Sequence, residues 1–188
     1  MRLLAPAAAL LVTFLLQGCL PIVAAGVGTG VVMSHERRDH RTFLEDQKLE
    51  SQIENLISRE FTGVMHVNVT CFNLQVLLSG EAPEEYSRAE IGKIVSRVEK
   101  VRRVINELVI SSNSSLLSRS NDSLITSNVK FRFLHNSRFS PEHIKVVTEN
   151  GAVYLMGIVY HAEGKAAADV ASRTANVKRV VKLFDYLD

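Results

Sequence analysis

The chain carries two cysteines, Cys19 and Cys71, and six histidines, His35, His40, His66, His135, His143 and His161. No histidine stands at a zinc-like spacing from a cysteine or an acidic residue, so a metal site is not expected. Serines are frequent, but none sits in a nucleophile elbow or a phosphate loop. They read as caps and turns. The adjacent acids Glu84 and Glu85 fall where a helix should begin, and the helix dipole accounts for them. Gly26, Gly28 and Gly30 form a G-x-G-x-G string, yet no strand precedes it and no βαβ unit follows, which argues against a nucleotide loop. Catalysis and a cofactor are therefore not expected. Cys71 lies in the strand-like run Val67-Asn68-Val69-Thr70-Cys71-Phe72, where cysteine behaves as a small buried hydrophobe. A reactive or intermolecular thiol is the alternative.

Cys19 has a different setting. Arg2 is followed by an apolar run, Leu3 to Leu16, of the length of a signal-peptide core. It falls short of the roughly 20 residues a membrane-spanning helix needs. The run ends in Leu16-Gln17-Gly18-Cys19, a small residue and then a cysteine, which resembles the lipobox of bacterial lipoproteins. That resemblance implies a signal peptide over 1–18 and acylation of Cys19. Leu20 rather than Asp follows, and in Gram-negative lipoproteins this implies the periplasmic face of the outer membrane. A lipidated Cys19 leaves Cys71 without a disulfide partner in the chain. Residues 19–43 read as a tether, and the arginines within 34–43 could touch anionic headgroups. The 188 residues carry a net charge of only +2, so the chain as a whole is not a polycation built for nucleic acid.

The elements that would position any site come from an internal repeat. Val67, Val69, Asn73, Val76, Leu78 and Gly80 return as Ile144, Val146, Asn150, Val153, Leu155 and Gly157. Asp46, Leu49, Ile53 and Ile57 return as Asp122, Ile125, Val129 and Phe133. Copies over 44–112 and 119–188 follow, joined by a Ser/Asn-rich linker at 113–118. Each copy predicts a helix through Leu49, Ile53, Leu56 and Ile57 or their counterparts, with Asp122 as an N-cap. An alternating strand and a turn come next, the turn at Asn150-Gly151 being a strong hairpin signal. A strand from Gln75 to Leu78 ending at Gly80, a helix from about Pro83 to Val98, and a last strand, Val104 to Ile110 or Val180 to Tyr186, complete the copy. The expected fold class is α+β, each copy α-β-β-α-β, with a three-stranded mixed sheet covered by two helices. About 70 residues make a thin core, and packing the copies together or on a membrane would help.

This repeated β-turn-β-Gly-helix pattern resembles the BON domain (bacterial OsmY and nodulation). The stretch from Val146 to Gly157, Lys165-Ala166-Ala167-Ala168-Asp169, and Val177-Lys178-Arg179-Val180 carry the likeness. A lipobox followed by two such domains is the layout of dual BON-domain outer-membrane lipoproteins. The resemblance implies phospholipid binding by the second domain, localisation at division sites and support of outer-membrane integrity.

The copies differ where their tasks should differ. Copy one holds eight basic and eleven acidic residues, copy two ten and seven, so copy two would be drawn to anionic surfaces. On the first helix of copy two, Ile125, Val129 and Phe133 share the core face, whereas Leu124, Phe131 and Leu134 point elsewhere. Their counterparts in copy one are Lys48, Asn55 and Ser58. Apolar side chains beside Lys130 and Arg132 suit an interfacial helix. Together with the resemblance, this marks Leu124, Lys130, Phe131, Arg132 and Leu134 as the expected phospholipid-binding residues. An aromatic is often found in the family where Leu124 stands. The competing reading packs Leu124 and Phe131 against copy one. A wider alternative makes the protein a periplasmic adapter that recruits envelope-assembly or division proteins through the acidic copy.

Overall fold

The computed structural model describes residues 37–61, 66–111 and 116–188, with side chains from residue 118 in the last stretch. The expected signal peptide over 1–18, Cys19, Leu20 and the glycine string lie outside the described residues. Copy one runs α1 (His40–Glu60), β1 (His66–Phe72), β2 (Gln75–Ala82), α2 (Glu85–Val95), β3 (Arg103–Asn106) and β4 (Val109–Ile110). Copy two runs α3 (Leu116–Leu134), a short 3-10 turn (Pro141–His143), β5 (Ile144–Glu149), β6 (Ala152–Val159), α4 (His161–Ser172) and β7 (Arg179–Tyr186). Both belong to one compact unit.

Each sheet is mixed. β1 pairs antiparallel with β2, and β3 lies parallel on its other side; β5, β6 and β7 repeat that order. The fold is α+β, as the repeat implied. The helix-side face of copy one buries Leu49, Ile53, Ile57, Val76, Leu78, Ile91 and Val95. In copy two the same layer holds Ile125, Val129, Phe133, Val153, Leu155 and Ala167. Alternation along the strands sends the other residues to the opposite face. There Phe72 and Leu77 of copy one form one buried cluster with Tyr154, Met156 and Leu183 of copy two. The copies thus pack sheet against sheet through the faces that lack helices. β2 is buried along its whole length as a result, and β6 at all but one position.

Polar contacts fasten the edges of this interface. Asn68 donates to Glu149 at 2.7 Å, while Lys145, the counterpart of Asn68, donates to the carbonyl of Cys71 at 3.2 Å and to Glu50 at 2.9 Å. Equivalent positions thus reach across in both directions, which relates the copies by a local two-fold. Arg179 bonds Glu107 at 2.8 Å, and Arg102 bonds Asp185.

Several local expectations need correction. Asp122 is not an N-cap. It lies within α3, buried, and accepts the backbone N–H groups of Asn150 and Gly151, both at 2.8 Å. Asp46 does the same for Asn73 and Leu74. Each pair of turn residues has positive φ, 52° and 63° in copy one, 51° and 78° in copy two, as a type I′ turn requires. The carboxylate takes the N–H groups that such a turn leaves unpaired.

The second strand does not end at Gly80 but continues to Ala82. At Gly80 and Gly157 a Cβ would collide with the carbonyl of His66 or His143. The last strand of copy one is broken. Asn106 donates to the carbonyl of Arg88 and accepts from the N–H of Leu108, so Leu108 turns into the core between β3 and β4. The second helix of copy one stops at Val95, and the N–H groups of Arg97 and Val98 then bond three residues back.

Both expected connectors are partly folded. α3 starts at Leu116, and within it serine hydroxyls bond back to carbonyls four residues earlier, Ser123 to Arg119 and Ser127 to Ser123. α1 starts at His40, and Arg37 and Arg38 are held by protein groups. The folded body therefore includes residues 37–43, which the sequence assigned to the tether.

Asp122→Ala should lower stability by about 3 kcal/mol, because two buried N–H groups lose a charged acceptor. Asp122→Asn, which keeps one acceptor oxygen, should cost less. Urea unfolding of both variants checks the order, and equal stability of all three proteins would contradict the turn-clamp role.

Candidate functional site

α3 packs on its sheet through Ile125, Val129 and Phe133. Phe139 meets the Phe133 ring edge-on at 4.9 Å, and Thr126 bonds Thr148 at 2.7 Å. These contacts fix the rotation of the helix about its axis. With about 100° per residue, the direction opposite the core then falls to Leu124, Phe131 and Leu134. They are exposed by 64%, 62% and 70%. The competing reading that packed Leu124 and Phe131 against copy one is therefore set aside, since copy one is engaged through the sheets. Lys48, Asn55 and Ser58, the counterparts on α1, are exposed as well. The difference between the two helices is one of surface chemistry, not of burial.

Lys130 and Arg132 lie on opposite flanks of the apolar stripe, both exposed. Arg132 donates to the carbonyl of Arg173 at the C-terminal end of α4, 3.1 Å away, where a cation is favoured. Among the described residues Lys130 has no carboxylate partner. Residue types alone missed His135, which follows the helix. Its ring lies 4.3 Å from that of Phe131, and its Nδ1 is 2.8 Å from the Phe131 carbonyl. The spacing of four from Phe131 was the available signal.

No helix of the described residues is long and apolar enough to cross a membrane. No group of three or more metal-binding side chains occurs among them.

The pattern of the BON domain matches residues 45–112 and again 121–188. The chain belongs to the BON-domain family. It is similar to the outer membrane lipoprotein DolP of Haemophilus influenzae, 36% identical with 94% of this chain and 92% of that protein covered. It is also similar to a 21 kDa hemolysin of Actinobacillus pleuropneumoniae, 31% identical with 80% and 78% covered. Among solved structures, CdsD of the Chlamydia trachomatis type III secretion system matches at 13% identity and a TM-score of 0.31, covering 74% of this chain and 92% of that one. With two BON domains in tandem, the chain is a DolP-like dual BON-domain protein.

Contacts between the BON domains absorb part of their opposite charge. Lys145 and Arg179 of the basic second domain face Glu50 and Glu107 of the acidic first. Two of the arginines expected to reach headgroups are also engaged, whereas Arg41 is exposed. Arg37 forks onto Glu163 at 2.5 and 3.0 Å, bonds the carbonyl of Ile158 and covers the ring of Tyr160. That guanidinium is the main reason the Glu163 carboxyl titrates below its usual range. Arg38 bonds Asp46 at 2.7 Å and lies over Phe72.

Cys71 is fully buried, as expected. Burial first, and then the nearby carboxylates of Glu50 and Asp46, push its thiol up to about 12. At the domain interface, burial and Glu107 push the Tyr154 hydroxyl up to about 12 as well. Both groups hold their protons more tightly folded than unfolded. The stability this contributes is complete below their unfolded values near 9 and 10 and is lost as pH rises toward 12. The urea midpoint should therefore fall between pH 9 and 11, and Tyr154→Phe should flatten part of that slope. An unchanged slope in the variant would show that Tyr154 ionises freely.

Proposed function

We propose that this protein is an outer-membrane lipoprotein, anchored on the periplasmic face through acyl chains on Cys19, whose second BON domain docks on anionic phospholipid through α3. In this role it supports outer-membrane integrity, division sites included. The observation that carries the reading is the exposed stripe of Leu124, Phe131 and Leu134 on a helix whose twin is polar at the same positions. Three large apolar side chains turned to water on one helix face suit the acyl boundary, and Lys130 and Arg132 suit the headgroup layer. Each cation near an anionic surface contributes about 1 kcal/mol. The likeness to an outer membrane lipoprotein of Haemophilus influenzae supports the anchor and the membrane. Tethering then raises the local concentration of a site that would be weak alone.

A protein-adapter reading has its own support on the first BON domain. Tyr86, Val109 and Ile110 are exposed there, the last two on the short strand β4. A partner strand could extend that sheet.

Co-sedimentation of the chain from residue 20 onward, which keeps every described residue, separates the two. Vesicles containing phosphatidylglycerol should retain it, phosphatidylcholine vesicles should not, and added salt should weaken the binding. Phe131→Glu should reduce binding at least tenfold. Equal binding to both vesicle types, unchanged by Phe131→Glu, would overturn the docking reading.

A further inference from the structure

The sheet-to-sheet packing of the BON domains creates two clefts at positions related by the local two-fold. One, of about 620 Å³, lies between the start of α1 and the end of β1 on one side and the end of α3 and the start of β5 on the other. Its mate, of about 490 Å³, lies between α3 and the end of β5 on one side and the start of β1 on the other. Much of their walls corresponds position by position, on the α1 and β1 side of the first and the α3 and β5 side of the second. Phe43, Cys71 and Phe72 of the first stand where Arg119, Thr148 and Glu149 stand in the second. The same groove thus occurs twice, and only the first carries phenylalanine side chains.

Phe133 and Leu134 extend the apolar wall. Its charged groups pair with each other, the nearly buried Arg38 with Asp46 and the part-exposed Lys145 with Glu50. Such a lining favours hydrocarbon over a polar metabolite, and the volume is that of a small-molecule site. Lys130 and Leu134 line it too, beside Glu142; both are exposed and also belong to the outer face of α3. Lys130 has no carboxylate partner among the described residues, so it can meet a phosphate. The cleft therefore opens onto the surface assigned to the membrane, with a cation at its edge.

We infer that this cleft takes one acyl chain of a phospholipid from the bilayer under α3, with the phosphate at Lys130 and the chain against Phe43, Phe72 and Phe133. The inference rests on the membrane-docking reading. Binding of cis-parinaric acid, a fluorescent long-chain fatty acid, to the chain from residue 20 onward tests it. Saturable binding of one probe per chain is expected, with displacement by lysophosphatidylglycerol below its micellar concentration. Phe43→Arg, which installs the residue of the mate cleft, should weaken probe binding at least tenfold. Gln47→Trp, at an exposed wall position that does not endanger folding, should do the same by filling the groove. The double variant Leu124→Ser/Phe131→Ser should lose vesicle docking and keep the probe, which separates the two readings. Lack of saturation, as expected of a groove that seats a protein side chain, would overturn the inference. So would failure of lysophosphatidylglycerol to compete, or indifference of the probe to Gln47→Trp.

Discussion

A three-stranded sheet with both helices on one side has a second face that water should not touch. Covering that face is the constraint on which the rest of the molecule depends. A module of this size buries too little to tolerate an open apolar sheet, and the twins solve the problem by covering each other. Leu77 and Phe72 meet Tyr154, Met156 and Leu183 in the middle, and opposite charges close the rim. The helices of both BON domains are thereby left on the outside. The outer face of α3 is free because the sheets, and not the helices, hold the domains together.

Much of this could be read from the residues, for identifiable reasons. The repeat spacing gave the element order, and helical periodicity gave the core stripe of Ile125, Val129 and Phe133. The outward direction of Leu124, Phe131 and Leu134 followed from the same arithmetic. The domain packing was not legible. Continuous burial of β6 is visible as the apolar run from Val153 to Val159, but such a run does not say what covers its second face. Asp122 was misread for a related reason. Local spacing suggests a cap, whereas its partners Asn150 and Gly151 lie 28 and 29 residues away. The residues of the apolar cleft come from both copies and converge only through the two-fold.

The duplication has kept what holds each module together and varied what each module shows. Asp46 and Asp122 clasp their turns alike, and Gly80 and Gly157 admit the same carbonyl. The exposed positions have drifted apart, as Lys48 against Leu124 and Asn55 against Phe131 demonstrate. Even the link between helix and first strand has been rewritten. A threonine pair joins them in one domain, where a glutamate accepts from the Cys71 backbone in the other. The two copies thus share their turn clamps and the helix stripes on the core, and differ most on the faces they expose.

The grip of Arg37 on the second domain has a mechanical consequence. The guanidinium is locked between Glu163, the Ile158 carbonyl and the Tyr160 ring, although α1, which begins three residues later, belongs to the first domain. Arg37 therefore braces the residues entering α1 against the root of α4 in the other domain, while Arg38 beside it is held by Asp46 of α1 itself.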